Sequence, residues 1–145
     1  EIIELNQKSI AQGGQIVELR LPGTLYIYAD EVKIGQVITN FLTNALKHTA
    51  AGQHITIQAY RKPDEETMHF EIRDDGEGIP ESELPYVWDR YHKTSRSFSR
   101  NQLNTGLGLA IVKAILDAHD AQFGVESVVG KGSTFWFELR ETHEA

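Results

Sequence analysis

Hydrophobic residues recur along this chain with two different periods, and the helical period marks three segments. The clearest one begins at Asp30, a good N-cap residue, and ends near His48 and Thr49, with its apolar positions on one broad face. Residues 106–120 form a second amphipathic pattern, which starts within glycines. Residues 1–12 also carry apolar side chains at roughly helical spacing. These patterns predict three main helices.

Six other segments alternate between apolar and polar residues, as strands with one buried face do. They are residues 15–21, 24–29, 54–61, 67–74, 122–128 and 133–140. A short turn separates the third segment from the fourth, and another separates the fifth from the sixth. Each of these pairs is therefore predicted to form a β-hairpin.

The remaining segments fit neither period over any length. Residues 81–93 predict one or two short helices. Residues 94–105 are polar and poor in hydrophobic side chains, which predicts a mobile loop. Residues 141–145 are expected to be a tail.

This order of elements predicts an α+β fold in two layers. Hairpin connections favour a mixed, mostly antiparallel sheet, and the helices are few enough that about three of them should cover one face only. A length of 145 residues suits a single domain, which we expect to span residues 1–145.

Composition narrows the possible partners. The net charge of -7 argues against general binding to nucleic acid or to an anionic membrane. The absence of cysteine excludes disulfides and thiolate metal sites. No apolar run approaches the roughly 20 residues that cross a bilayer. The chain begins with Glu1 and its only methionine is Met68, so we expect it to be a fragment of a longer protein.

Asp74 is the first candidate for chemistry. It shares a strand face with Met68, Phe70 and Ile72, so its carboxylate is predicted to point inward, which is unfavourable without a partner. Gly76 and Gly78 follow and would let the backbone turn sharply or let a ligand approach closely. Such a carboxylate could accept a hydrogen bond from a buried ligand, such as an adenine amino group. The alternative is an ordinary Asp-Gly turn with a solvated side chain.

A helix that opens on glycines is the second candidate. In "NTGLGLAIVK" the residues Gly106, Leu107, Gly108 and Leu109 begin the helix. The N–H groups and positive dipole end of a helix start suit phosphate, and glycine lets a bulky anion approach. A glycine-rich loop packed against the core would have the same sequence.

The polar stripe of the helix in residues 30–49 is the third candidate. It carries Asn40, Asn44 and Lys47, about one turn apart, although asparagine is a poor helix former. An asparagine oxygen is a hard ligand that suits Mg²⁺, which takes few protein oxygens when phosphate oxygens supply others. A polar helix face that holds two asparagines by chance remains the alternative.

Ser133 is the fourth candidate, in "GKGSTFWF". It is in phase with Phe135, Phe137 and Leu139, so it is predicted to face inward and could join Asp74 in a small polar pocket. A tight turn before a strand would explain the same residues.

The ordered set of motifs resembles the ATP-binding catalytic domain of sensor histidine kinases, in the Bergerat-fold superfamily of gyrase, heat-shock chaperone and mismatch-repair ATPases. The resemblance covers roughly residues 1–140. It is carried by "NFLTNALKHT" as the N box, "VWDRYHK" as the F box, and "DDGEGI", "GLGLAIVK" and "GKGSTF" as three glycine boxes.

The resemblance implies a role for each matching residue. Asn44 would bind Mg²⁺ and Asn40 would lie near the phosphates, while Lys47 and His48 would lie against the nucleotide. Asp74 would receive the adenine amino group, with Ile79 against the ring and Gly78 giving room. The remaining implied positions are Arg90 and Lys93 near the phosphates, Gly106–Leu109 as the phosphate-facing helix start, and residues 94–105 as a lid over ATP.

Some positions depart from the family pattern. Trp88 and Tyr91 replace the usual phenylalanines of the F box but keep an aromatic body. Lys93 stands where arginine is common and loses bidentate phosphate geometry. Asn104 replaces a glycine before the helix, and Asp120-Ala121 replaces Gly-Gly after it, which bears on the helix C-cap.

The residue type at position 40, Asn40, bears on whether the protein hydrolyses ATP or transfers its phosphoryl group. Relatives that hydrolyse ATP tend to have a glutamate there as a base for water, and a neutral amide cannot serve as one. This favours transfer to a histidine, whose neutral ring is already a nucleophile. That histidine would lie on a separate helical dimerisation domain of the same parent protein, with a response regulator downstream. We expect this fragment to be cytoplasmic, on a parent that could be anchored in the membrane. The only His-Glu pair is His143-Glu144 at the end of the chain, so we expect the acceptor to be absent. A Bergerat ATP hydrolase, a protein-serine kinase and a regulatory nucleotide-binding module remain alternatives.

Overall fold

A computed structural model describes residues 2–5, 16–20, 25–63, 66–89 and 108–140. The described strands are β1 (Ile2–Leu5), β2 (Ile16–Arg20), β3 (Leu25–Tyr28), β4 (His54–Arg61), β5 (Thr67–Asp74), β6 (Gln122–Val128) and β7 (Gly132–Arg140). The helices are α1 (Glu31–Lys47), α2 (Gly108–Ala118) and a single 3₁₀ turn at Leu84–Tyr86. No helix within these described ranges has both the length and the hydrophobicity needed to span a membrane.

The main sheet has five strands in the order β2-β4-β5-β7-β6. Strands β2 and β4 are parallel, and the other three pairings are antiparallel. The parallel pair needs a crossover connection, and α1 lies within it. The predicted mixed, mostly antiparallel sheet with its two hairpins is therefore confirmed.

The predicted helix over residues 1–12 is wrong where the structure describes that segment. Ile2–Leu5 forms a strand that pairs antiparallel with β3, with Ile2 opposite Tyr28. Short apolar runs cannot be assigned to helix or strand by spacing alone, and β-branched Ile2 and Ile3 favour an extended backbone once β3 supplies hydrogen-bond partners. The described part of the chain therefore has two α-helices instead of the expected three.

The segment predicted to hold one or two short helices, residues 81–93, is described only as far as Asp89. Within that part it forms one 3₁₀ turn at Leu84–Tyr86. Pro85 lies at the start of this turn, where proline is tolerated because the first N–H groups of a helix have no partner within it. The described residues of this segment contain no α-helix.

Helix α1 begins and ends where the sequence predicts. The Asp30 side chain accepts a hydrogen bond from the backbone N–H of Lys33 at 3.0 Å, which is an N-cap. At the other end the N–H of His48 bonds the carbonyl of Asn44 at 3.2 Å. The polar stripe that carries Asn40 and Asn44 is thus held in a helix with defined ends.

The core lies between the helices and one face of the main sheet. The inward residues of α1 meet those of β5 and β7, and all are almost fully buried: Ile34, Val37, Phe41, Met68, Phe70, Ile72, Phe135, Phe137 and Leu139. The Phe41 ring lies 5.4 Å from that of Phe135, between the two layers. The expected two-layer arrangement with helices on one face is confirmed.

The opposite face of the sheet carries a cluster of polar and aromatic side chains. The His69 ring stacks between Tyr60 at 4.9 Å and Trp136 at 5.6 Å. Its two nitrogens lie 2.7 Å from a Glu138 oxygen and 2.9 Å from a Glu71 oxygen. These side chains cover part of the sheet face on which none of the described helices packs.

Candidate functional site

The C-terminal end of α1 and the turn after β5 approach each other closely at the carbonyl group of His48. A Cβ atom added to Gly76 would fall on the His48 carbonyl oxygen, so only glycine allows this approach. The polar stripe of α1 and the turn that follows Asp74 consequently form the two sides of one site.

The structure brings most of the residues singled out by the sequence to this region. Helix α1 and its C-cap carry Asn40, Asn44, Lys47 and His48. The end of β5 and the turn after it carry Asp74, Gly76, Gly78 and Ile79. Helix α2 starts with Gly108 and Leu109, and Ser133 is the second residue of β7. The remaining candidates lie outside the described residues: Arg90, Lys93, Gly106, Leu107 and the expected lid over residues 94–105.

Asp74 points into the protein, as its phase on the strand predicted. It is 2% exposed, and one of its carboxylate oxygens accepts the backbone N–H of Gly76 at 2.9 Å. Burial is the main reason that its pKa rises to about 6. The negative charges of Asp75 and Glu77 also raise this pKa, whereas hydrogen bonds from the backbone N–H groups of Gly76 and Ser133 lower it.

Within the described part of the chain, this buried carboxylate is held by two N–H groups, and no described cation shifts its pKa. A carboxylate has about four lone-pair positions, so further donors can still be accepted. Such a group can bind a ligand that offers a hydrogen-bond donor within the core.

Ser133 lies directly opposite Asp74 in the sheet and is buried, as predicted. Its hydroxyl oxygen lies 2.8 Å from that of Ser127. The Ser127 hydroxyl donates to the Gly132 carbonyl at 2.9 Å and accepts the N–H of Ile79 at 2.7 Å. Because Ser127 has one hydroxyl proton, Ser133 must be the donor to Ser127.

Sequence reasoning missed Ser127, which fastens the turn before Ile79 to the β6–β7 hairpin. A usable signal was present, since Ser127 is in phase with Phe123 and Val125 on β6, and both are packed against the core. A serine on that face of a strand needs a hydrogen-bond partner.

Gly78 and Gly132 allow backbones to approach closely. Gly78 has φ +78°, and a Cβ atom there would fall on the carbonyl of Val128. Gly132 has φ +110°, and its Cβ would fall on the carbonyl of Asp74. In the described structure, the space beside Gly78 that a side chain would occupy is therefore filled by the β6–β7 turn. The Gly130 N–H in this turn also donates to the Glu77 carbonyl at 2.9 Å.

The two helices meet at Asn40. Its side-chain nitrogen donates to the carbonyl of Gly108 at 3.3 Å. A Cβ on Gly108 would lie 3.9 Å from the Asn40 amide, so α2 begins against this asparagine. Asn44 and Lys47 follow on the same stripe and are half-buried. The polar stripe thus runs from the start of α2 towards the turn after Asp74.

His48 and Glu77 form a contact that the sequence did not indicate. Nδ1 of His48 lies 3.3 Å from a carboxylate oxygen of Glu77. Burial lowers the pKa of His48, and the charge of Lys47 adds to that effect, while the hydrogen bond to Glu77 raises it. The net effect favours the neutral ring.

Trp88 keeps the aromatic packing that was expected at its position. Its ring meets Phe123 at 5.0 Å and Phe135 at 5.7 Å, both edge-on, and Phe41 at 6.4 Å. Tyr91, the second substituted position, lies outside the described residues.

The fold and the site together define a class of protein. Residues 29–143 match the family model described as histidine kinase-, DNA gyrase B-, and HSP90-like ATPase. The chain belongs to this family, as the five motifs predicted.

The relatives are sensor histidine kinases. The chain is 37% identical over 115 residues to sensor histidine kinase WalK of Bacillus subtilis, covering 79% of this chain and 19% of WalK. It is 42% identical over 106 residues to sensor histidine kinase AruS of Pseudomonas aeruginosa, covering 72% of this chain and 11% of AruS. It therefore spans about a fifth or less of these two proteins.

Solved structures agree on the architecture. The mycobacterial sensor histidine kinase MprB superposes with a TM-score of 0.78 at 24% identity, over 88% of this chain and 84% of that one. Full-length ShkA in complex with AMPPNP superposes with a TM-score of 0.76 at 28% identity, over 92% of this chain and 27% of that one.

Proposed function

We propose that this chain is the ATP-binding catalytic domain of a sensor histidine kinase, which donates the γ-phosphoryl group of ATP to a histidine on a helical domain of the same parent protein. The observation that carries the proposal is the buried carboxylate of Asp74, 2% exposed, at the end of the polar stripe of α1. We assign the carboxylate to the purine and the polar stripe to the triphosphate.

The purine end is built from the turn after β5. Asp74 would accept the adenine amino group, with the Gly76 N–H holding the carboxylate in place. Ile79 is 6% exposed and would lie against the ring, and its N–H is anchored on Ser127. Ser133 would supply a hydroxyl oxygen beside Asp74, since its proton is directed to Ser127.

The phosphate end is built from α1 and the start of α2. Asn44 would supply an oxygen to Mg²⁺, which would neutralise phosphate charge and orient the transferred group. Asn40 and Lys47 would lie near the phosphates, together with the N–H groups of the α2 start at Gly108. Arg90, Lys93 and the lid over residues 94–105 would complete the enclosure.

The residue at position 40 favours transfer over hydrolysis. Asn40 donates its amide to Gly108 and carries no basic group that could take a proton from water. A histidine acceptor needs no such base, because its neutral ring already has a nucleophilic lone pair. The phosphorylated parent would then pass the group to a response regulator.

Two substitutions test the assigned roles. Asp74→Asn should weaken adenine nucleotide binding with the fold intact, since one oxygen acceptor becomes a donor. Calorimetry with AMPPNP measures this, and Asp120→Asn, an exposed acid at the end of α2, is the matched control. Unchanged affinity in Asp74→Asn would refute the adenine role.

The metal role has a separate test. Asn44→Asp should change nucleotide binding more with Mg²⁺ present than without it, whereas Gln36→Glu, two turns away on the same helix, should not. Equal effects of Asn44→Asp with and without the metal would count against the ligand role.

Transfer is tested by mixing the chain with the helical domain of its parent and ATP. The expected product is phosphohistidine, which is acid-labile and base-stable. Steady phosphate release by the isolated chain, abolished by Asn44→Ala, would instead support an ATP hydrolase of the same family.

A further inference from the structure

The Ser127 hydroxyl takes part in three hydrogen bonds that join β6, β7 and the turn after β5. Its oxygen lies 2.9 Å from the Gly132 carbonyl oxygen, 2.7 Å from the Ile79 nitrogen and 2.8 Å from the Ser133 hydroxyl oxygen. A carbonyl only accepts and a backbone N–H only donates. The bond to Gly132 therefore uses the single Ser127 proton, and the bond from Ile79 uses one of its two lone pairs.

This count fixes the direction of the bond between the two serines. The Ser127 oxygen has no second proton to give, so the Ser133 proton must be donated to its remaining lone pair. The Ser133 oxygen then keeps its two lone pairs and has no proton for another group. Ser133 is therefore an acceptor only, although an unconstrained serine can both donate and accept.

Asp74, the neighbour of Ser133 on this face of the sheet, is also an acceptor. The two residues lie opposite each other in the β5–β7 pairing and are 2% and 6% exposed, respectively. Burial raises the pKa of Asp74 to about 6, so its carboxyl group is ionised at pH 8. The backbone N–H groups of Gly76 and Ser133 are already donated to this carboxylate. These two side chains therefore offer oxygen acceptors and no donor.

We propose that Ser127 is a positioning residue for base specificity: by taking the Ser133 proton, it makes the site favour a purine with a 6-amino group over one with a 6-oxo group. The inference deepens the proposed function and rests on it. A 6-amino group donates to such acceptors, whereas a 6-oxo group finds no donor there and loses a hydrogen bond that it makes in water. Ser127 acts through Ser133 and needs no contact with the base.

The specificity is measured by calorimetry at pH 8 with Mg²⁺ and either ADP or IDP, which carry a 6-amino and a 6-oxo purine. Wild type should bind ADP more tightly. Ser127→Ala releases the Ser133 proton for donation to a 6-oxo group, so the ratio of the two affinities should fall about fivefold, the effect of one hydrogen bond. Ser127→Thr keeps the hydroxyl and should keep the wild-type ratio.

Two further variants separate this role from a general effect on the fold. In a Ser133→Ala background, Ser127→Ala should leave the ratio unchanged, because the residue through which Ser127 acts is gone. Thr134→Val removes a hydroxyl from the other face of β7 and is the matched control, which should keep the wild-type ratio. A Ser127 that only anchors the Ile79 N–H would weaken both nucleotides equally when replaced, and the ratio would not change.

Three results would overturn the inference: equal binding of ADP and IDP by wild type, a wild-type ratio in Ser127→Ala, or the same fall of the ratio in the Ser133→Ala background. If Ser127→Ala does not fold, Ser127→Cys takes its place, since a thiol sulfur is a weak acceptor, and an unchanged ratio overturns the inference equally. Failure of the proposed nucleotide site would look different, since wild type would then bind neither ADP nor IDP.

Discussion

Replacing Asp74 by asparagine should change how the stability of the fold depends on pH. The folded protein holds this carboxyl group at a pKa of about 6, against an ordinary value of 3.8. The folded state binds this proton more tightly than the unfolded state does. The protonated carboxyl group therefore contributes its full stabilisation at pH values below its ordinary pKa. This stabilisation is lost as the pH rises through about 6.

The size of the effect follows from the two values. At 1.36 kcal/mol per pH unit, the rise of the pKa from 3.8 to about 6 corresponds to about 3 kcal/mol in the free energy of unfolding. About 2 kcal/mol of this should be lost between pH 4.5 and 7.5, the range in which the folded carboxyl group ionises. Asparagine cannot ionise, so the variant should not lose this stability between pH 4.5 and 7.5.

Urea denaturation without nucleotide, followed by tryptophan fluorescence at several pH values, measures the difference between wild type and Asp74→Asn. The asparagine has only one oxygen for the N–H groups of Gly76 and Ser133, but that loss is the same at every pH. Asp120→Asn is the control and should show no step. A wild-type minus variant difference that stays constant from pH 4.5 to 7.5 would refute the reasoning.

Two further predictions concern backbone positions in the left-handed region. Gly132→Ala should lower the free energy of unfolding by about 2–4 kcal/mol, because residue 132 has φ +110° and its Cβ would fall on the Asp74 carbonyl. Gly130→Ala in the same turn should lower it by only about 1 kcal/mol, since no atom lies within 4 Å of the added Cβ. Equal losses in urea denaturation would show that the close approach does not matter. Asp120→Gly should raise the free energy of unfolding by about 0.5–1 kcal/mol, because Asp120 ends α2 at φ 54°, and Asp120→Ala should lower it. Thermal melts of the three proteins check this order, and a destabilised glycine variant would contradict it.

Much of the geometry of the candidate site could be predicted, because the positions of its residues along a strand or a helix determine which way their side chains point. Asp74 and Ser133 share strand faces with core residues, and Asn40 and Asn44 share a helix stripe, so each direction follows from a period of two or of 3.6. Glu77 had no such signal. It lies in a turn, where side-chain direction follows no period, and its contact with His48 depends on two segments 29 residues apart in the chain.

The sequence by itself determined the elements with long patterns, their order, and the ordered motifs that place the chain in its family. Tertiary structure decided the rest. Ile2–Leu5 is a strand because β3 offers it hydrogen-bond partners, which no local pattern contains. Gly76, Gly78 and Gly132 are required by backbones that approach from distant parts of the chain. Such contacts depend on how the layers pack, and a period along one segment carries no information about its neighbour in space.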